Sequence, residues 1–354
     1  MKRFSALLLA AVASVMLLSA CSQKEAPPPA VEETLSPSKE LVRSKITNEL
    51  ISKELYGQRP IAVMIPNEAA VIPHYGLSEA SVLYECCVEG RMTRMLGIFE
   101  DYTSIKKLGN VRSLRDYYVY WAFEWDAVIC HFGGPYYIDE IMAQSTTDHL
   151  DGNVLSAPFF RTAERDAPHN AFLNGTLVRD ALTACNITSN DRQLADSTHY
   201  VFSDVASPNT LTQYANVKDA SFLDMSEAYP VTRCYFRYHP DDHLYYRFQH
   251  LENDIDAPHI DGTNDKQLSF ANIVIESHEY EVRDQKGYLS YETIGNGDAW
   301  YLTEGKLISC TWEKTSDYSA TRYYDLSGNE ILFNTGKTMV FIIKDGDTFS
   351  YGIE

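Results

Sequence analysis

Basic residues are scarce in this chain: 30 Lys and Arg stand against 49 Asp and Glu, a net charge of −19 at pH 7. Nucleic-acid binding is not expected on that balance, because affinity for a phosphate backbone needs a basic face. The same acidic excess argues against a body lying flat on anionic lipid. After residue 20 no second apolar run is long enough to span a membrane. No Gly-x-x-x-x-Gly-Lys-Ser/Thr loop is present for nucleotide phosphates, and no Gly-x-Ser-x-Gly elbow for a nucleophile. No Cys-x-x-Cys pair or Cys/His spacing points to zinc. The acid-rich stretch 253–265 lacks the ligand order of a calcium loop and reads as a solvated loop. His239 and His243 are four apart, but Pro240 between them breaks a helical metal pair. Neither a metal nor a cofactor is expected.

What is present begins with Lys2 and Arg3, then an apolar and small-residue run from Phe4 to Ala20. A basic start, an apolar core and a small-residue end predict a secretory signal over residues 1–20. Leu18-Ser19-Ala20-Cys21 matches the bacterial lipobox. The expectation is therefore a palmitate-type modification on Cys21, two or three chains in all, anchoring the protein stably at the extracytoplasmic face of the cell membrane. An ordinary cleaved signal is the alternative. Removing residues 1–20 takes away Lys2 and Arg3 and no acid, leaving 28 basic against 49 acidic residues, or −21. Residues 21–45 are rich in Pro, Ser and Glu and poor in large apolar side chains. Such a segment cannot bury enough surface to offset its ordering entropy, and it reads as a disordered tether.

Six cysteines follow Cys21: Cys86, Cys87, Cys130, Cys185, Cys234 and Cys310. An even number in an exported chain allows a disulfide framework. The chain is long enough to stabilise itself by its core, and Cys86, Cys87 and Cys130 lie inside apolar strands. Buried thiols acting as small hydrophobes are the expectation, with disulfides as the alternative.

The remaining chain divides by pattern. In residues 46–190, short apolar runs ("IAVMI", "ASVLYECCV", "TRMLGIF", "AVICHF") alternate with helical patterns. Leu114, Tyr118, Trp121, Ala122 and Trp125 make one apolar face, so a helix is predicted over 113–125. Glu89-Gly90 predicts a tight hairpin between the second and third runs. Strands interleaved with helices imply a layered α/β domain with a mixed sheet. Residues 191–228 read as a loop-rich connection. Residues 229–354 are aromatic and β-rich with closely spaced turns, as in an antiparallel domain built from hairpins. The fold class is thus α+β or α/β, with a layered first half and an antiparallel second half.

Seven stretches carry a family resemblance: "RPIAVMIPN", "GLSEASVLYE", "EGRMTRMLGIF", "LGNVRSLRDYY", "DAVICHFGG", "FFRTAERDAPHN" and the C-terminal "GNGDAW…TWEK…YYDLSGNEILFNTGKT". Together they resemble the YerB-like bacterial lipoproteins, the DUF3048 family, over nearly the whole chain past the tether. The resemblance implies a two-part architecture on a surface lipoprotein and assigns no chemistry. The Cys86-Cys87 pair departs from the apolar residues expected at those strand positions.

Candidate site residues follow from topology. In open α/β sheets ligands bind beyond the carboxyl ends of parallel strands. Asn67 ends the first run, Glu89 closes the second, Arg91 and Arg94 open the third, and His131 ends the fourth. Arg112 leads into the predicted helix, followed by Arg115 and Asp116. These residues are expected along one edge, where arginines beside a helix start suit an anion. Each also has a structural explanation. Ser113 and Asp116 have the spacing of a capping box. Arg115 can pair with a nearby acid, and Glu89 with Arg91 across the turn. His131 can be a hydrogen-bonded, half-buried histidine. The polar loop 161–170 adds Arg161, His169 and Asn170 as candidates. The first functional expectation is a non-catalytic envelope lipoprotein that binds an anionic ligand or a partner protein. The alternatives are an enzyme on a phosphate-bearing envelope substrate, by loose analogy with LytR-CpsA-Psr phosphotransferases, and a structural or assembly factor.

Overall fold

Ile61–Asn67 is buried along all seven residues. A run apolar on both faces belongs inside a sheet covered on both sides. In the computed structural model, which describes residues 40–194, 199–251 and 255–353, it is the first strand (β1) of an 11-stranded sheet. The signal run, Cys21 and the tether up to residue 39 lie outside the described residues. The other main strands are β2 (Val82–Cys87), β3 (Thr93–Phe99), β4 (Val128–His131), β5 (His149–Asp151), β6 (Asn272–His278), β7 (Gly295–Thr303), β8 (Lys306–Lys314) and β9 (Thr338–Lys344). Their order across the sheet is β8-β7-β6-β9-β2-β3-β1-β4-β5. β3 and β7 run against the rest.

The hairpin at Glu89-Gly90 joins β2 and β3. The second half carries its antiparallel hairpins: β7 with β8, and Cys234–His239 with Leu244–Leu251 in a separate six-stranded sheet. The two halves are nevertheless hydrogen-bonded into one sheet. β9 runs parallel to β2 on one side (Val340 opposite Tyr84) and to β6 on the other (Val274 opposite Val340). Periodicity reports which faces of a strand are buried, not which strand lies beside it. The described residues accordingly form one compact unit. Among the described residues no helix is long and apolar enough to cross a membrane.

Two local expectations are corrected. The tether ends earlier than residue 45. Leu41–Arg43 pairs with Leu50–Ser52, and the buried Ser44 hydroxyl bonds Glu100. The helix predicted from Ser113 starts later, as α1 (Asp116–Phe123), with Arg115 in extended backbone before it. The capping box of Ser113 and Asp116 does not form, because residues 112–114 are already used as an extended bridge. The Arg112 N–H donates to Met64 O (2.9 Å), the Leu114 N–H to Gly133 O (3.0 Å), and the Phe132 N–H to Arg112 O (3.0 Å). α1 then packs on the sheet through Trp121, stacked on Tyr84. Its Tyr117 and Tyr118 hydroxyls donate to the carbonyls of Cys87 and Cys86. The six cysteines after Cys21 are free thiols, five buried and Cys185 half-buried.

Candidate functional site

The 112–114 bridge passes between the carboxyl ends of β1 and β4, and this carries Arg112 and Arg115 to the sheet edge where β3 begins at Thr93 and Arg94. Arg115 is committed. Its Nε and Nη2 fork onto Glu89 at 2.7 and 2.6 Å, and Nη1 donates to Leu114 O at 2.8 Å. A bidentate pair of this kind is the strongest arrangement open to a guanidinium. Among the described residues Arg94 has only a backbone acceptor, the carbonyl of Ser113. Burial, then the positive charges of Arg115 and Arg112, push its pKa down to about 10.

Arg112 is the least satisfied of the three. Its nearest carboxylate, Glu68, stands 3.9 Å from Nη2, beyond hydrogen-bond distance. Its Nε is buried with no hydrogen-bond partner. Burial lowers its pKa, opposed by Glu68 and reinforced by Arg115. Glu68 is shared with His169, whose Nδ1 is 3.3 Å away. Three guanidiniums therefore face two carboxylates, with an imidazole beside them.

The other predicted residues do not join this group. The Asn67 amide points to the opposite face and donates to Glu85 (2.8 Å) and Thr93 (3.2 Å). Arg91 is exposed on the turn, and its charge acts on Asp347. Asp116 pairs with Arg283 from the second half of the chain. His131 is held between His149 (3.0 Å) and Gly133 O (2.9 Å), its pKa lowered first by burial. Arg161 and Asn170 bond each other (2.7 Å), and the Asn170 amide donates to Thr162 O. Of the residues expected along one edge, Arg94, Arg112, Arg115 and Glu89 come together, joined by Glu68 and by His169 of the polar loop. Among the described residues no group of three His, Cys, Asp or Glu side chains is placed to hold a metal ion.

Sequence pattern also passed over a buried polar chain under the same edge. Glu85 and Arg247 are fully buried and paired at 2.9 Å. Arg247 reaches Gln249 (2.7 Å) and His259, His259 Nε2 lies 2.8 Å from His74 Nδ1, and His74 Nε2 lies 2.7 Å from Pro66 O. A carbonyl can only accept, so His74 carries its proton on Nε2. Each ring nitrogen is then assigned in turn back to Arg247. Both rings are neutral. Burial holds His74 down to about 4 and His259 well below its usual value. The available signal was a carboxylate in an otherwise apolar strand, Glu85 in "VLYECC", since a charge buried on a sheet interior requires a partner.

A cavity of about 520 Å³ lies at the other edge of the sheet, where β1 and β4 begin. None of the predicted site residues lines it.

Residues 46–188 match the family model described as the N-terminal domain of a protein of unknown function, DUF3048, and residues 225–340 match its C-terminal domain model. The two matches together cover well over half of the chain. A Bacillus subtilis (strain 168) protein named "Putative lipoprotein YerB" is 23% identical over 349 residues, which is 94% of this chain and 93% of that protein. The crystal structure of the YerB protein from Bacillus subtilis shares the fold, with a TM-score of 0.73 and 21% identity over 87% of this chain and 99% of that one.

Proposed function

The chain belongs to the DUF3048 family, and from that premise we propose that it is a lipid-anchored protein of the bacterial envelope that binds an anionic group at Arg112 without transforming it. The anchor reading is supported by the lipobox ending in Cys21 and by likeness to a protein named as a lipoprotein. The binding reading is carried by one observation. Arg112 has a buried Nε with no acceptor, and its only carboxylate neighbour among the described residues, at 3.9 Å, is shared with His169. A guanidinium offers five N–H donors in a planar fork. A phosphate or carboxylate at Arg112 supplies the missing acceptors bidentately. It also cancels the one positive charge left when Arg94, Arg112 and Arg115 face Glu68 and Glu89.

The test is thermal unfolding of the acidic body with inorganic pyrophosphate or polyphosphate at low salt. A ligand that binds only the folded state raises the melting temperature by mass action. The expected result is a rise for the wild type, no rise for Arg112→Ala, and a larger rise for Glu68→Gln, which removes the competing carboxylate. A wild type indifferent to both anions, or an Arg112→Ala variant that responds equally, sinks the binding site. The anchor is tested separately: Cys21→Ala is expected to lose palmitate-analogue labelling and leave the membrane fraction, and undiminished labelling refutes it.

A further inference from the structure

The cavity at the amino ends of β1 and β4 opens among Arg59, Glu100, Glu124, Trp125, Asp126 and His199. Its volume of about 520 Å³ lies in the range of roughly 300–1,000 Å³ typical of small-molecule sites. Nearly every charge there is matched. Lys45 pairs with Asp191 (3.0 Å) and Lys314 with Glu124 (3.2 Å). Arg59 and Arg192 share Asp126 and Asp148, at 2.5 to 3.4 Å.

Glu100 is the exception. It is buried and, among the described residues, makes no ion pair. Its two oxygens share one hydroxyl, Ser44 Oγ, at 2.9 and 2.8 Å. That hydroxyl already accepts the N–H groups of Ile46 (2.9 Å) and Thr47 (3.0 Å), so it has one proton to give. The charged groups acting on Glu100 are Glu49 and Asp101, which oppose its ionisation, and Lys45, which is held by Asp191. Burial first, then those two acids, push its pKa up to about 7.

A second residue of the same wall, His199, carries an unpartnered ring nitrogen. His199 Nε2 is 2.7 Å from Glu124, and its ring stacks on Trp125 at 3.7 Å. A carboxylate on Nε2 keeps the proton there and leaves Nδ1 as a lone-pair acceptor. That Nδ1 is buried without a hydrogen-bond partner, on a side chain only 3% exposed. Burial lowers the ring's pKa, so it stays neutral and able to accept.

We propose that this cavity binds a small organic monocation with a primary ammonium group, which pairs with Glu100 and donates a further hydrogen bond to His199 Nδ1. One cation is the charge the wall lacks, and N–H donors are what its two open acceptors lack. Ile46, Tyr56, Trp125 and Leu194 provide apolar surface for the rest of the molecule. The ammonium requires the ionised form of Glu100, so binding tightens as pH rises through neutrality. With a carboxyl titrating near 7, affinity at pH 6 is about tenfold weaker than at pH 8.

Calorimetric titration with tyramine, against 4-ethylphenol as its amine-free counterpart, tests the assignment. Tyramine is expected to bind at pH 8 and about tenfold more weakly at pH 6, and 4-ethylphenol not to bind. Glu100→Gln is expected to abolish binding at both pH values while the protein stays folded. Leu194→Trp is expected to block the cavity independently, and Arg112→Ala to leave binding unchanged. The proposal is overturned by equal binding of 4-ethylphenol, by unchanged affinity in Glu100→Gln or Leu194→Trp, or by failure of tyramine, ethanolamine and glucosamine alike to bind at pH 8.

Discussion

Arg112 and Arg115 lie three residues apart on the same edge, yet replacing each by alanine should have very different consequences. Arg115→Ala removes a bidentate pair and a third bond to Leu114 O. It leaves the Glu89 carboxylate, only 18% exposed, without its hydrogen-bonded cation. Stripping one partner from a fully buried pair costs about 3–5 kcal/mol. Water reaches Glu89 in part, so a cost of roughly 2–3 kcal/mol is expected here. Arg112→Ala removes a contact of 3.9 Å between side chains 22% and 27% exposed. Pairs of that kind contribute about 0–1 kcal/mol. The loss is offset because Arg112 is one of the charges that disfavour the buried Arg94 guanidinium. The net change should lie within about 1 kcal/mol of zero. Urea unfolding without added anion measures both, with equal m-values showing that the same surface unfolds. If Arg112→Ala proves as damaging as Arg115→Ala, Arg112 has a sufficient partner within the protein. The case for an external anion then fails.

Three further outcomes follow from buried groups. Arg247→Met strands the fully buried Glu85 and should cost about 3–5 kcal/mol in urea unfolding, with Glu85→Gln added in the same chain recovering much of it; no recovery would mean the pair's charges are not the issue. Folded Glu100 holds its proton up to about 7, above its unfolded value, so the folded state binds more protons between those pH values and stability falls as pH rises across that window. Glu100→Gln should therefore match the wild type near pH 4 and exceed it by roughly 2–3 kcal/mol at pH 8, and a gain independent of pH would contradict the assignment. Thiol titration of the denatured, unreduced protein should count six free cysteines besides Cys21, whereas in the native state half-buried Cys185 should react first and Cys87, its thiol pushed up to about 12 by burial, should stay inert. A denatured count near zero would show a disulfide framework instead.

The amino-acid sequence by itself determined the elements and their exposure. A run such as Ile61–Asn67, apolar at every position but its end, can only be buried on both faces. The alternating aromatic runs with Glu304-Gly305 and Pro240-Asp241-Asp242 between them can only turn back as hairpins. The long family motifs were readable for the same reason, since local patterns carry them. Tertiary structure alone decided pairing over long separations. β9 lies between β6 and β2 although some 250 residues separate it from β2, and no local period encodes that neighbour. The same holds for charge. Which of Arg94, Arg112 and Arg115 is neutralised depends on which carboxylates arrive beside it, and Glu89 reached Arg115 while Glu68 stopped short of Arg112. Ser113 lost its capping role because residues 112–114 were taken up by β1 and β4. The cavity around Glu100 and His199 joins residues nearly a hundred positions apart. That Glu100 has no ion pair among the described residues and His199 Nδ1 no hydrogen bond appears only once the other charges around them have been paired in space.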